Sequence, residues 1–213
     1  MNRNLLTLSL IGLTLAFSQA SFAIDAAAKP LQQQWAVIKY QTAEKEREKA
    51  FKKLAEEAKQ VEQQNPKDPE VLAWEAIILS TYAGEKGGFG ALGLVKDAKA
   101  LLEKAEKIDP KVLNGSVYTS LGSLYYQVPG WPLGFGDDDK AEKLLKKALQ
   151  IAPDSIDANF FYGDYLIEEG RYQEAVKALE KALNAPDRPG RKVADAGRRD
   201  EAKQKLAEAR KHL

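Results

Sequence analysis

Residues 98–110, AKALLEKAEKIDP, and residues 141–153, AEKLLKKALQIAP, carry the same apolar pattern 43 residues apart. In each copy the alanines and leucines recur at the spacing of one helix face, and a proline follows the last apolar residue. This pattern predicts two amphipathic helices that each end before a proline. Such a helix buries its apolar face only by packing on its neighbours, so the duplication predicts an array of helical repeats.

A third copy occupies residues 159–186, which read NFFYGDYLIEEGRYQEAVKALEKALNAP. Gly163 lies on the first predicted helix of this copy, and Ala175, Leu179 and Ala182 lie on the second. These residues have the spacing of a tetratricopeptide repeat, and the stretch resembles that family. The resemblance implies an all-α fold, a right-handed superhelical array of antiparallel helix pairs, in which small residues let the paired helices approach closely.

We expect the array to form one domain over residues 24–213, with three to four helix pairs and a polar capping helix over residues 200–211. A basic, glycine-containing loop is expected to reach Arg199. The two pairs before residue 159 are longer than the unit of the family. Their extra residues predict inserts at the tips of the helical hairpins, over Tyr82–Val95 and Tyr125–Gly136.

The N-terminus has the features of a secretory signal peptide over residues 1–23. Arg3 precedes an apolar run from Leu5 to Phe17, and the sequence Ser21-Phe22-Ala23 places small residues where a signal peptidase cleaves. We expect export to a bacterial periplasm, and secretion is the alternative location. The alternative to cleavage is that the N-terminal segment is retained as a membrane anchor. The chain has no cysteine, so no lipoprotein attachment and no disulfide is expected. No further membrane span is expected in the mature chain.

Composition argues against several classes of function. The chain has 32 Lys and Arg residues against 31 Asp and Glu residues, a balance that predicts no nucleic-acid partner. The one histidine is His212, near the C-terminus, so the common catalytic triads and zinc sites are not expected. Asp137, Asp138 and Asp139 could bind calcium or cap the helix that follows. We expect no enzyme, no cofactor and no metal site.

The two predicted inserts combine glycines with large apolar residues. Phe89, Leu92, Trp131, Leu133 and Phe135 are expected to become buried, because a purely connecting loop would be short and polar. They either pack against the ends of the hairpins or contact a ligand or partner. Among them Phe89, Trp131 and Phe135 are candidate binding residues.

Further candidates lie on the first helix of each pair, which forms the concave face in proteins of the family that the chain resembles. Counted from Gly122 and Gly163, the inward positions are Thr119, Ser123, Tyr126, Phe160, Asp164 and Ile167. The Lys and Asn pattern with which some members of the family bind a peptide carboxylate is missing. A basic group near the C-terminus, formed by Arg188, Arg191, Lys192, Arg198 and Arg199, is either an anion site or a solvated loop.

Two functions follow from these observations. The first is a protein or peptide scaffold in the cell envelope, since protein binding is the common role of the family. The second is a transport-associated component that binds a small apolar ligand. The general plan of the chain is loosely similar to the T components of tripartite solute transporters, without a motif that transfers a binding residue.

Overall fold

A computed structural model describes residues 26–213, and over these residues the fold is all-α, as predicted. The helices are α1 (Ala28–Gln41), α2 (Glu44–Gln64), α3 (Pro69–Lys86), α4 (Ala91–Ile108), α5 (Val112–Gln127), α6 (Asp138–Ile151), α7 (Ile156–Glu168), α8 (Tyr172–Leu183) and α9 (Lys192–Arg210). Residues 113–115 have positive φ, so the regular part of α5 begins at Ser116. The predicted signal peptide lies outside the described residues. Within residues 26–213 no helix is long and apolar enough to cross a membrane.

The helices form four antiparallel pairs, followed by α9. Each odd-numbered helix contacts the next odd-numbered helix, and the even-numbered helices pack outside them. The last helix, α9, also contacts α1. The five odd-numbered helices therefore form a closed inner ring.

The repeat pattern sets how closely the helices of a pair approach. A Cβ atom added to Gly163 on α7 would lie 2.6 Å from Cγ of Leu179 on α8, and one added to Gly122 on α5 would lie 2.7 Å from Cγ of Leu145 on α6. These distances leave no room for a methyl group. The predicted role of the small residues is thus confirmed in two successive repeats.

The first predicted insert, Tyr82–Val95, is mostly helical rather than a loop, so that part of the prediction is wrong. The helix α3 continues to Lys86, α4 begins at Ala91, and only residues 87–90 connect them. Val95 and Ala98 are both buried in the core, so the apolar stripe of α4 extends towards its N-terminus. The insert lengthens this hairpin by helical turns. Gly87, Gly88 and Gly90 lie at its tip, whereas Gly84 lies on α3 and Gly93 on α4.

The closure of the ring depends on contacts between the two ends of the described chain. The hydroxyl of Tyr40 on α1 donates to Oε2 of Glu201 on α9 at 3.2 Å, and a Cβ atom added to Gly197 would lie 2.2 Å from Cδ1 of Tyr40. The predicted loop to Arg199 is therefore wrong, because α9 begins at Lys192. Ala194 in its first turn is buried in the core shared with α1 and α3, which favours this earlier start.

Candidate binding cavity

A cavity of about 1390 Å³ is lined by residues from all five inner helices. Typical pockets for small molecules measure about 300–1000 Å³, so this one has room for a small molecule or for a short peptide. Its wall mixes aromatic, hydroxyl and charged side chains. They include Trp35 from α1, Trp74 and Thr81 from α3, Ser120 and Ser123 from α5, Phe160, Phe161 and Asp164 from α7, and Arg198 from α9.

Four of the six residues predicted on the inner helices line this cavity, namely Thr119, Ser123, Phe160 and Asp164. The other two, Tyr126 and Ile167, are not part of its wall. The hydroxyl of Tyr126 donates to Oδ2 of Asp164 at 2.7 Å, and Ile167 is buried in the core between the helices. Burial, together with the Asp164 carboxylate, raises the pKa of Tyr126 well above its ordinary value. The role of all six residues in binding stays a prediction.

Residues at equivalent positions of three repeats line the cavity. Each lies two residues before or one residue after the small residue that faces the partner helix, which is Ala76, Gly122 or Gly163. The six positions are Trp74 and Ile77 on α3, Ser120 and Ser123 on α5, and Phe161 and Asp164 on α7. Trp74 was not among the predicted residues, although the register of the repeat would have identified it.

Two arginines of the predicted basic group belong to an ion-pair network that joins α7 to α9. Arg188 and Arg198 both donate to the carboxylate of Asp157, at 2.7 and 2.8 Å, and Arg198 also donates to Glu201 at 2.6 Å. Arg188 further pairs with Asp195, whose side chain is buried. Burial alone would raise the pKa of Asp157, but the surrounding guanidinium groups hold it well below its ordinary value.

A third arginine of the group, Arg191, is not paired in this way. Its guanidinium carbon lies 5.3 Å from the centre of the Trp74 ring, and both residues line the cavity. Burial and the neighbouring Arg188 cation lower the pKa of Arg191. Among residues 26–213, neither Nε of Arg191 nor Nε1 of Trp74 has a hydrogen-bond acceptor, although both atoms are buried.

The large apolar residues at the hairpin tips are more exposed than predicted. Trp131 and Phe89 are 90% and 83% exposed, and Leu133 is also exposed, so the expectation that they bury themselves is wrong for these three. Phe89 and Leu133 line a smaller pocket of about 400 Å³ between the two tips, whereas Trp131 lines neither pocket. Phe135 packs edge-on against Tyr125, with ring centres 5.5 Å apart.

Main-chain contacts close the base of the loop that carries Trp131. The amide of Gly136 donates to the carbonyl of Pro129 at 3.0 Å, and a Cβ atom on Gly136 would overlap the carbonyl of Val128. The base of the loop is therefore closed by main-chain contacts.

The acidic run after this loop caps a helix. The carboxylate of Asp137 accepts from the backbone amide of Lys140 at 2.9 Å, and Asp138 and Asp139 lie in the first turn of α6. Capping, one of the two roles considered for these residues, is thus observed. In the part of the chain that the structure describes, no group of three or more acidic or histidine side chains could hold a metal ion.

Comparison with known proteins gives one family match and several similar solved structures. Residues 133–189 match the model of the tetratricopeptide repeat family. The solved structures similar to this chain include MamA, residues 41 to the end, from Desulfovibrio magneticus RS-1, with 14% identity over 89% of this chain and 97% of that one and a TM-score of 0.47. TTC0263 from Thermus thermophilus, a thermophilic TPR protein, shares 20% identity over 84% of this chain and 100% of its own, with a TM-score of 0.41.

YrrB, a TPR protein with an unusual peptide-binding site, is 16% identical over 90% of this chain and 94% of its own, with a TM-score of 0.42. No curated protein matches the chain. The family match spans α6, α7 and α8, and it includes the pair α7 and α8, where the repeat pattern is most complete in the sequence. The match confirms the resemblance to the tetratricopeptide repeat family over residues 133–189, and the described chain as a whole is an all-α array of antiparallel helix pairs.

Proposed function

We propose that this chain is a non-enzymatic binding scaffold of the bacterial cell envelope, which holds a short segment of a protein or a peptide in its central cavity. The observation that carries the proposal is the cavity itself, to which every inner helix contributes side chains. Repeats of this family build scaffolds for protein partners, and their concave face is the surface that neighbouring repeats share.

The chemistry of the cavity wall suits a peptide. Aromatic rings from Trp35, Phe160 and Phe161 offer apolar contact, and the hydroxyl groups of Thr119 and Ser123 can exchange hydrogen bonds with a peptide backbone. The contact between α1 and α9 limits the size of what enters, because the concave face is a ring and not an open groove. A short extended segment fits this space, whereas a folded partner domain does not.

The proposed cellular location rests on the N-terminal sequence. The apolar run from Leu5 to Phe17 and the small residues Ser21 and Ala23 have the order of an exported precursor. The periplasm is the compartment that we propose, with secretion as the alternative.

Photo-crosslinking from inside the cavity tests the proposal. A photoreactive amino acid replaces Ser123, on the cavity wall, or Lys143, on the exposed face of α6, and the cells that produce the chain are irradiated. We expect a discrete crosslinked partner from position 123 and not from position 143. Equal labelling from both positions, or none from position 123 at any irradiation dose, would contradict binding in the cavity.

The closed ring also favours a second candidate, a binding protein for a small solute. Native mass spectrometry of the mature chain, purified gently from its own envelope fraction, separates the two candidates. An added mass of small-molecule size supports the solute, and a stoichiometric peptide or protein supports the scaffold.

A further inference from the structure

Two buried hydrogen-bond donors at one corner of the central cavity lack an acceptor. These are Nε1 of Trp74 and Nε of Arg191, and the described residues provide no acceptor for either atom. Indole and guanidinium nitrogens in these side chains only donate, so a second donor cannot satisfy them. A buried donor without an acceptor destabilises the fold, so such a group calls for a partner from outside the chain, such as a water molecule or a ligand.

Neighbouring side chains of the same types are satisfied. The indole of Trp35, whose ring centre is 5.9 Å from that of Trp74, donates to Oγ1 of Thr81 at 2.9 Å. The guanidinium groups of Arg188 and Arg198 donate to carboxylates. Among these tryptophans and arginines, the missing acceptors are therefore specific to Trp74 and Arg191.

The side chains that carry these two donors are neighbours. The Arg191 guanidinium lies 5.3 Å from the centre of the Trp74 ring, and Trp74 itself is only 3% exposed. Arg191 directly precedes α9, whose N-terminus is the positive end of the helix dipole. The ligand group must accept hydrogen bonds. A negative charge on it would pair with Arg191, which, unlike Arg188 and Arg198, has no carboxylate partner in the described chain.

We propose that the Trp74–Arg191 corner binds a carboxylate group of the ligand that enters the cavity. A carboxylate provides two acceptor oxygens and the planar shape that an arginine side chain matches. The inference rests on the cavity being the binding site, as proposed above. A carboxylate group is present both in a free organic acid and at the C-terminus of a peptide.

Titration by nuclear magnetic resonance tests this site directly, because the chain has only three tryptophans and therefore three indole N–H signals. The probes are acetate and benzoate, each matched with its neutral amide, acetamide or benzamide. We expect a saturable downfield shift of the Trp74 indole proton with the acids and not with the amides. The Trp35 indole already donates to Thr81, so its signal serves as the internal reference.

Two further probes distinguish the sources of the carboxylate. N-acetylated trialanine with a free C-terminus is compared with the same peptide carrying an amidated C-terminus. If the free peptide binds more tightly than acetate and the amidated form does not, the carboxylate belongs to a peptide end. If benzoate binds and neither peptide does, it belongs to an organic acid. Both outcomes support the site.

Two variants test the residues themselves. Arg191→Gln removes the charge, and Trp74→Phe removes the indole donor while keeping an aromatic ring, so each should weaken carboxylate binding about 10- to 100-fold. Arg199→Gln is the matched control, since Arg199 pairs with Asp187 and does not line the cavity, and it should leave binding unchanged. Melting curves identify any variant that fails to fold. If Trp74→Phe does not fold, the Trp74 indole signal of Arg191→Gln still reports whether carboxylate binding depends on Arg191.

The proposal is overturned if the Trp74 signal responds equally to acids and amides, if no acid gives a saturable shift, or if Arg191→Gln binds the acids like the unaltered chain. Crosslinks from Ser123 that persist in any of these cases would leave the scaffold in place and remove only the carboxylate site.

Discussion

Substituting Gly197 by alanine tests whether α1 and α9 close the inner ring. In an ordinary helix interior this change stabilises a protein by about 1 kcal/mol, because alanine has the higher helix propensity. Here the new methyl group would lie 2.2 Å from Cδ1 and 2.3 Å from Cγ of Tyr40. Either the tyrosine ring or the helix must move to accommodate it.

The Tyr40 ring has little freedom to move. It packs edge-on against Trp35, with ring centres 5.8 Å apart, and its hydroxyl donates to Glu201. Overpacking of this kind costs about 1–3 kcal/mol, which cancels or exceeds the gain in helix propensity. We therefore expect Gly197→Ala to lower the free energy of unfolding by about 0–2 kcal/mol.

Gly93 on α4 provides the matched control, because nothing lies within 4 Å of a Cβ atom added there. Gly93→Ala should raise the stability by up to about 1 kcal/mol, so the two variants should differ by about 1–3 kcal/mol. Urea unfolding measures this difference, and in thermal unfolding each kcal/mol corresponds to about 2–4 °C for a chain of this size.

A double-mutant cycle assigns the cost to the contact itself. In the Tyr40→Ala background the ring is gone, so Gly197→Ala should become stabilising, like Gly93→Ala. If Gly197→Ala stabilises the unaltered chain as much as Gly93→Ala does, α1 and α9 do not touch at this point and the ring is open.

Three further predictions concern stability. Burial raises the pKa of Glu75 to about 7, so the folded chain binds a proton more tightly at Glu75 than the unfolded chain does. The free energy of unfolding should therefore fall by about 3 kcal/mol between about pH 4.5 and pH 7. Urea unfolding at a series of pH values measures this fall, and Glu75→Gln should remove it. Asp157→Asn leaves Arg188 and Arg198 short of a partner and should cost about 3 kcal/mol at pH 7 by urea unfolding. Because the pKa of Asp157 in the folded chain is well below its ordinary value, this contribution is fully present above about pH 4 and declines as the pH falls further, so the difference between the variant and the unaltered chain should shrink steadily below pH 4. Gly163→Ala forces a methyl group against Leu179 and should lower the stability by about 1–3 kcal/mol, whereas an unchanged melting temperature would contradict the close approach of α7 and α8.

The repeat architecture was predictable because its signals are local. Residues that face the partner helix, such as Ala141, Leu145 and Ala148, recur at one-helix spacing and are all buried. Their copies on α4, Ala98 and Leu102, are buried in the same way. A pattern of this kind depends only on the period of the helix, which the sequence contains in full.

The ring closure and the course of the inserts were not predictable from such signals. Tyr40 and Glu201 are 161 residues apart, and nothing in the spacing of either helix indicates that they meet. At the tips, the glycines around Phe89 suggested a loop, although the helical spacing of Val95 and Ala98 continues to the N-terminal side. The exposure of Trp131, and the main-chain contact between Pro129 and Gly136 at the base of its loop, are not indicated by residue types alone.

The repeat register assigns different roles to different positions of an inner helix. The small residue, such as Ala76 or Gly163, faces the outer helix and determines whether the pair can form. The residues two before and one after it face the cavity, where the demand of close packing between paired helices does not apply. These positions hold Trp74 on α3 and Phe161 on α7, so the same register presents different side chains in different repeats.

This separation explains why the fold and the candidate site differ in how far they can be predicted. The packing positions must repeat, because every pair needs the same close approach, and repetition is visible in one sequence. The side chains at the cavity positions need not repeat. Arg191 lies outside the repeats, and it lines the cavity because α9 packs against α1. In the function that we propose, specificity is carried by the residues that break the repeat, and Trp74 and Arg191 are the pair at which this proposal can be tested.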